Sequence, residues 1–278
     1  MLLACIGSPM ASDDRLETCA HRERVEREFT RQAESFAASP ALNAAEIVES
    51  LPRALGEARN GRVLDLACGP GIVSEALTRD ARQVVAVDLT DRPLRLAALR
   101  CGSADPARFA PVRASAESLP VASASLDGAV ARLALHHLEN PRRALAEVHR
   151  VLRPGGVLAV LDLLATEDPT HAELHNALER LRDPSHVEVV TAPALRAAVT
   201  DVGLEIVDEK LWTNTRPFDE WARIIADPVR TDALEIVMRH LARNGVRAGI
   251  GLREGPAGIE FDYRWALLVA RRPGGASR

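Results

Sequence analysis

The stretch that decides the fold is Val63-Leu64-Asp65-Leu66-Ala67-Cys68-Gly69-Pro70-Gly71. Arg62–Leu66 reads as a short apolar strand that runs into this stretch, and the small residues after it as a tight turn. Ile72–Arg79 follows with helical spacing. Glycine permits positive φ and close backbone approach, so a ligand can rest against such a turn at the helix N-terminus. The turn lacks the third glycine of the dinucleotide fingerprint, G-x-G-x-x-G, so alone it implies only an unspecified nucleotide site.

Outward from the turn, strands and helices alternate. Gln83–Asp88 is a second strand, Pro93–Arg100 a helix, Ala110–Arg113 a third strand and Asp127–Leu133 a fourth. Asn140 can cap the helix that Pro141 opens. Leu145, Val148, Val151 and Leu152 repeat along it at helical spacing until Pro154-Gly155-Gly156. Val157–Leu161 is a continuous apolar strand. This rhythm predicts βαβ units and a doubly wound, mostly parallel α/β sheet.

The flanks differ. Residues 1–20 read as a flexible tail, with Met10 an alternative start. The pattern from Arg22 to Leu51 is helical with a break at Pro40. After Ala165 the chain is helical and loop-rich to about residue 200. Leu204–Trp212 is expected as a strand, Phe218–Asn244 as a helical insertion and Phe261–Arg271 as a closing strand. The expected organisation is one domain over 21–278: a helical cap (21–58), a cofactor-binding core (60–165) and acceptor-side additions with a lid (166–260).

Composition sets limits. The 278 residues carry a net charge of −4, with nearly half apolar and about a quarter charged, which argues against a nucleic-acid partner. Lys210 is the only lysine, and the arginines of 22–31 alternate with glutamate as on a solvated helix face. Cys5, Cys19, Cys68 and Cys101 show no metal-ligand spacing and suit a reducing compartment. No segment approaches the roughly 18 apolar residues of a membrane span, so a soluble cytoplasmic protein is expected, with no metal and no membrane contact. A homodimer is allowed.

Asp88 raises the specificity of the turn. An acid at the end of the second strand, about twenty residues on, can accept hydrogen bonds from two ribose hydroxyls. Asp65, inside the first strand end, can order the loop and meet an ammonium through water, whereas it would repel a pyrophosphate. That sign favours S-adenosylmethionine over a nicotinamide dinucleotide.

These residues resemble the class I S-adenosylmethionine-dependent methyltransferases, especially the branch similar to ubiquinone/menaquinone C-methyltransferases and natural-product tailoring enzymes. The resemblance lies in Val63–Val73, Val84–Thr90, Ser115–Pro120 and Asp127 through Asp162, the last containing Leu135-His136-His137-Leu138. It extends loosely to Phe29–Phe36 and to Leu181–His186. The resemblance implies a Rossmann-like seven-stranded sheet with an antiparallel last strand. It also implies that backbone from Ala67 through Cys68 and Gly69 to Gly71 cradles the cofactor. Asp88 would take the ribose and Leu89 would lie on the adenine, with Ser115, Ala116 and Glu117 at the adenine edge. Arg132 and Leu133 would meet the methionine end through backbone. Phe29 and Phe36, spaced for one face of the first helix, read either as ordinary packing or as a cover over cofactor and acceptor. Ala67 stands where the family usually has Gly, and Ser115 where it usually has Asp.

The acceptor is expected to be a small molecule, aromatic or heteroaromatic, methylated on O, N or C. His137, after the fourth strand, and Asp162, at the end of the fifth, form the expected base and its orienting acid. His136 is expected to be structural, although the sequence leaves open which ring faces the pocket. His186, in a loop expected to cover the pocket, is a further candidate. His171 and His175 read as a solvated helix face. Trp212, Phe218 and Trp221 read mainly as core. Competing readings are a cyclase on the same fold, a nicotinamide-dependent oxidoreductase and, least favoured, an RNA-binding module.

Overall fold

A computed structural model describes residues 12–102 and 107–274, with side chains from residue 19 onward. Parallel strands β1 (Arg62–Leu66), β2 (Gln83–Asp88), β3 (Phe109–Arg113), β4 (Leu126–Arg132) and β5 (Leu152–Leu164) form most of the sheet. Two long strands complete it, β6 (Glu205–Pro217) and β8 (Gly258–Arg271). Their order is β3-β2-β1-β4-β5-β8-β6, with β8 antiparallel to both neighbours. A short eighth strand, β7 (Arg253–Gly255), forms a hairpin with β8 beyond the expected seven. Parallel strands buried on both faces need continuous apolar runs. Val63, Leu64 and Leu66 are accordingly fully buried, as are Val84 and Ala86.

Helices α1 (Ser12–Ala38) and α2 (Ala45–Ala54) precede the sheet, and α3 (Ile72–Leu77), α4 (Asp91–Cys101) and α5 (Pro141–Val151) connect its strands. Beyond β5 come α6 (Pro169–Arg182), α7 (Ala192–Thr200), α8 (Phe218–Arg223) and α9 (Pro228–Arg243). Caps define several starts. The Asn140, Asp168 and Asp227 side chains accept the backbone N–H of Arg143, His171 and Arg230, each just before a proline in the first turn. Each cap contributes about 1 kcal/mol.

Three further expectations change. Helix α1 begins at Ser12, so residues 12–20 are helical rather than tail, while residues 1–11, with Met10, lie outside the described residues. Strand β5 begins at Leu152, because Pro154-Gly155-Gly156 stays in the sheet: Gly155 donates to the Arg272 carbonyl (2.8 Å) and Arg272 to that of Gly156 (2.9 Å). His175 is buried (1% exposed) against Tyr263 rather than solvated.

The chain leaves β1 for β2 and β3 on one side and for β4 and β5 on the other. The carboxyl ends of β1 and β4 therefore open a crevice at this switch point. Helix α1 roofs it through charged groups. Buried Glu28 pairs with Arg31 and with Arg230 (3.1 Å), Arg31 with Asp227 (3.1 Å), and Gln32 donates to Asp183 (2.9 Å). Among the described residues no helix is long and apolar enough to cross a membrane.

Candidate active site

The turn after β1 holds three left-handed residues, Ala67 (φ 52°), Gly69 (φ 53°) and Gly71 (φ 77°). Gly71 is dictated by packing as well as by φ, since a Cβ there would stand 2.8 Å from the Ala97 Cα. Gly69 is different: a Cβ would meet nothing within 4 Å, so its backbone faces open space. Its N–H donates to one Asp88 oxygen (2.8 Å), and the other accepts from Thr90 N–H (2.8 Å). Asp88 thus locks the glycine turn to the turn after β2. Burial pushes its carboxyl up while these N–H donors pull it down. Asp65 accepts from the Ser74 hydroxyl (2.6 Å), and burial pushes it up to about 7 against the pull of Ser74 and Arg132.

A cleft of about 1140 Å³, open mouth included, lies over this turn. Of the cofactor-side residues singled out in the sequence, Phe36, Asp65, Ala67, Cys68, Gly69, Asp88, Leu89, Ser115, Ala116, Glu117, Arg132 and Leu133 line it. Gly71 does not; it packs against α4 instead. Burial raises the Cys68 thiol well above its ordinary range, so the sulfur is no nucleophile at neutral pH. The Ser115 hydroxyl accepts from Glu117 N–H (3.2 Å), and the Glu117 carboxylate from Asn140 N–H (3.1 Å), which tie this rim together. Arg132 donates to the Leu42 carbonyl (2.5 Å), and burial lowers it to about 10.

Around the end of β4 the two histidines exchange the places expected of them. His136 Nδ1 lies 2.5 Å from Asp162, which also accepts from Leu135 N–H (2.9 Å) and Leu163 N–H (2.8 Å). The reason is the 3₁₀ turn Leu135–His137, in which successive residues point about 120° apart. One ring swings over the end of β5 and the next toward α1. His137 Nδ1 meets the Ser185 carbonyl and hydroxyl (3.2 Å each), and its ring stands edge-on to Phe29 at 4.9 Å. Burial and the neighbouring His136 lower it to about 4. Burial opposes the charge on both groups, yet the Asp162 carboxylate outweighs it and raises His136, and His136 with the Leu163 and Leu135 N–H groups holds Asp162 low. His186 bonds the Asn176 side chain (2.8 Å), is lowered by burial to about 3, and lines neither cleft.

A second cleft, about 540 Å³, opens from the first at Phe29, Phe36, Leu133 and His137, which line both. His136 lines it, with Gln32 and Asp183 at the α1 side and with Glu179, Tyr263 and Trp265. Tyr263 donates to Glu179. Trp221 also lines this cleft, whereas Phe218 and Trp212 line neither.

Residues 64–160 match the family described as a methyltransferase domain. The methyltransferase YcgJ of Bacillus subtilis is 31% identical over 180 residues, covering 65% of this chain and 70% of its own. The chain belongs to the S-adenosylmethionine-dependent methyltransferases. The solved structure of YcgJ superposes on this methyltransferase with a TM-score of 0.72 at 26% identity, covering 84% of this chain and all but 1% of its own (99%). The ubiquinone/menaquinone C-methyltransferase UbiE of Syntrophotalea carbinolica is 37% identical over 130 residues, 46% of this chain and 54% of that one. The cyclase SpnF shares the fold alone: TM-score 0.62 and 21% identity, over 83% of this chain and 82% of its own.

Several lining residues of this methyltransferase carry no signal in the central motifs. His21 and Val25 come to the first cleft from α1, and Arg182, Arg216 and Tyr263 to the second from α6, β6 and β8. One signal was available: Phe261, Tyr263 and Trp265 alternate, which places three aromatic rings on one face of a strand.

Proposed function

We propose that this methyltransferase carries S-adenosylmethionine in the first cleft. It transfers the methyl group to O, N or C of a small aromatic or heteroaromatic acceptor, such as a secondary metabolite, in the second. The observation that carries this reading is the junction of the two clefts at Phe29, Phe36, Leu133 and His137. A donor and an acceptor can meet there while α1 excludes water. The residues fit the cofactor. The open backbone face at Gly69 can receive its methionine and ribose portions, and each Asp88 oxygen keeps a lone pair for a ribose hydroxyl beyond its one N–H bond. Leu89, with Ser115, Ala116 and Glu117, would border the adenine, and Arg132 and Leu133 the methionine end. The bound cofactor supplies an electrophilic methyl on a sulfonium, for which alignment provides much of the rate. His136 can take the acceptor's proton at Nε2, because the Nδ1–H···Asp162 bond fixes the tautomer and strengthens the ring as a base.

Incubation with S-adenosylmethionine and a panel of phenols, indoles, quinones and amines tests the reaction by methylated product and S-adenosylhomocysteine. Conversion of an acceptor without S-adenosylhomocysteine would instead favour a cyclase. Asp88→Ala is expected to weaken cofactor affinity at least tenfold, about 1.4 kcal/mol. An unchanged calorimetric affinity would remove Asp88 from the site.

Asp65 adds a pH dependence. Titrating near 7, it is mostly protonated at pH 6 and ionised at pH 8. The cofactor's ammonium favours the ionised form, so S-adenosylhomocysteine should bind more tightly as pH rises through this window. The gain is at most about tenfold per unit. Asp65→Asn should flatten the dependence; a variant that retains it would assign the titration elsewhere.

A further inference from the structure

The hydrogen-bonding groups of the second cleft are unevenly used. Every carboxylate that borders it is already engaged: Glu179 by Tyr263, and Asp183 by Gln32, the Ser185 hydroxyl (2.6 Å) and the Ser185 N–H (2.9 Å). The donors are not. Arg216 is only 8% exposed, yet its Nε and Nη2 have no hydrogen-bond partner. It forms an ion pair with Glu220, whose Oε1 lies 3.7 Å from Nη2, beyond hydrogen-bonding distance. The indole N–H groups of Trp221 and Trp265, both 3% exposed, are also without partners, and all three side chains line this cleft. Buried donors left unpaired are costly and rare in a folded chain. Here they gather in one aromatic-walled space.

We propose that this cleft takes an acceptor molecule bearing a carboxylate, anchored on Arg216 and the indole N–H groups of Trp221 and Trp265. This rests on the methyl-transfer reading above and names the class of its acceptor. Nε and Nη2 form one edge of the guanidinium, a fork that matches the two oxygens of a carboxylate. A phosphate dianion fits less well, since Glu179 and Asp183 both carry negative charge nearby; burial pushes both carboxyls up, but His175 and Arg182 hold Glu179, and His137, Ser185 and Gln32 hold Asp183, below the usual carboxylate range. The carboxylate is the anchor, and the methyl-accepting atom lies at the His136–His137 end, where the clefts join. Aromatic side chains of the cleft pack against the acceptor's ring.

Calorimetry on the protein saturated with S-adenosylhomocysteine tests this with matched probes: 4-hydroxybenzoate and 4-hydroxybenzamide, indole-3-acetate and indole-3-acetamide, and phenyl phosphate. At least one acid is expected to bind ten times or more tightly than its amide and more tightly than phenyl phosphate. Arg216→Gln should abolish that preference, Arg216→Lys should restore part of it, and Trp265→Phe, which removes the indole N–H, should weaken acid binding several-fold. S-adenosylhomocysteine affinity should stay unchanged in all three variants, which also verifies folding. Equal affinity of acids and amides, no binding of either acid, tighter binding of phenyl phosphate, or an acid preference that survives Arg216→Gln would each overturn the proposal. Failure of the wild type to bind S-adenosylhomocysteine would instead strike at the methyl-transfer reading.

Discussion

His136→Ala is expected to lower turnover by about 10²–10⁴-fold for an acceptor that must lose a proton, the range associated with a positioned general base. Cofactor affinity should hardly change, because His136 lines only the second cleft. The pH profile identifies the group. Protonated Nε2 cannot accept a proton, so turnover should rise with pH, and the Asp162 carboxylate places the midpoint above the ordinary histidine value of 6.5. Asp162→Asn should move that limb to lower pH and reduce turnover. His137→Ala should act mainly on KM, because His137 stands where the clefts join and burial keeps it neutral down to about pH 4. Full activity of His136→Ala would leave alignment alone as the source of rate.

The second large effect concerns the glycine turn, where two residues separated by one proline should respond in opposite ways. Gly71→Ala combines positive φ with a Cβ 2.8 Å from Ala97. The left-handed conformation costs about 1–2 kcal/mol and overpacking roughly another 1–3. Chemical denaturation should therefore show a loss of about 2–5 kcal/mol. Gly69→Ala has a similar φ but nothing within 4 Å of its new methyl group. Its stability loss should stay near 1–2 kcal/mol, while S-adenosylhomocysteine affinity falls at least tenfold because the methyl group enters the space the ligand uses. Equal stability losses would refute the packing role of Gly71. Unchanged affinity in Gly69→Ala would move the ligand off this face of the turn.

These two glycines show how far a sequence can be read. Both marked a strand-turn-helix, because backbone conformation and close approach are local demands that glycine alone meets easily. Only the position of α4 separates their roles: Ala97 lies against Gly71, and open cleft against Gly69. Asp88 was likewise legible as an acid at a strand end. That it spends a hydrogen bond on each turn was not, since Gly69 and Thr90 meet only when β1 and β2 pair.

By itself, the sequence determined the alternation of strands and helices, the capped start of α5 and the place of the glycine turn. Each depends on apolar periodicity or on residues within a few positions of one another. Tertiary structure decided which histidine pairs with Asp162, because a 3₁₀ turn aims adjacent rings in different directions and the acid lies 26 positions farther along the chain. It also decided the second cleft, to which α1, α6, β6 and β8 each contribute from distant parts of the chain. The glycine turn was local and could be read. The cleft beside it exists only where elements from distant parts of the chain pack together.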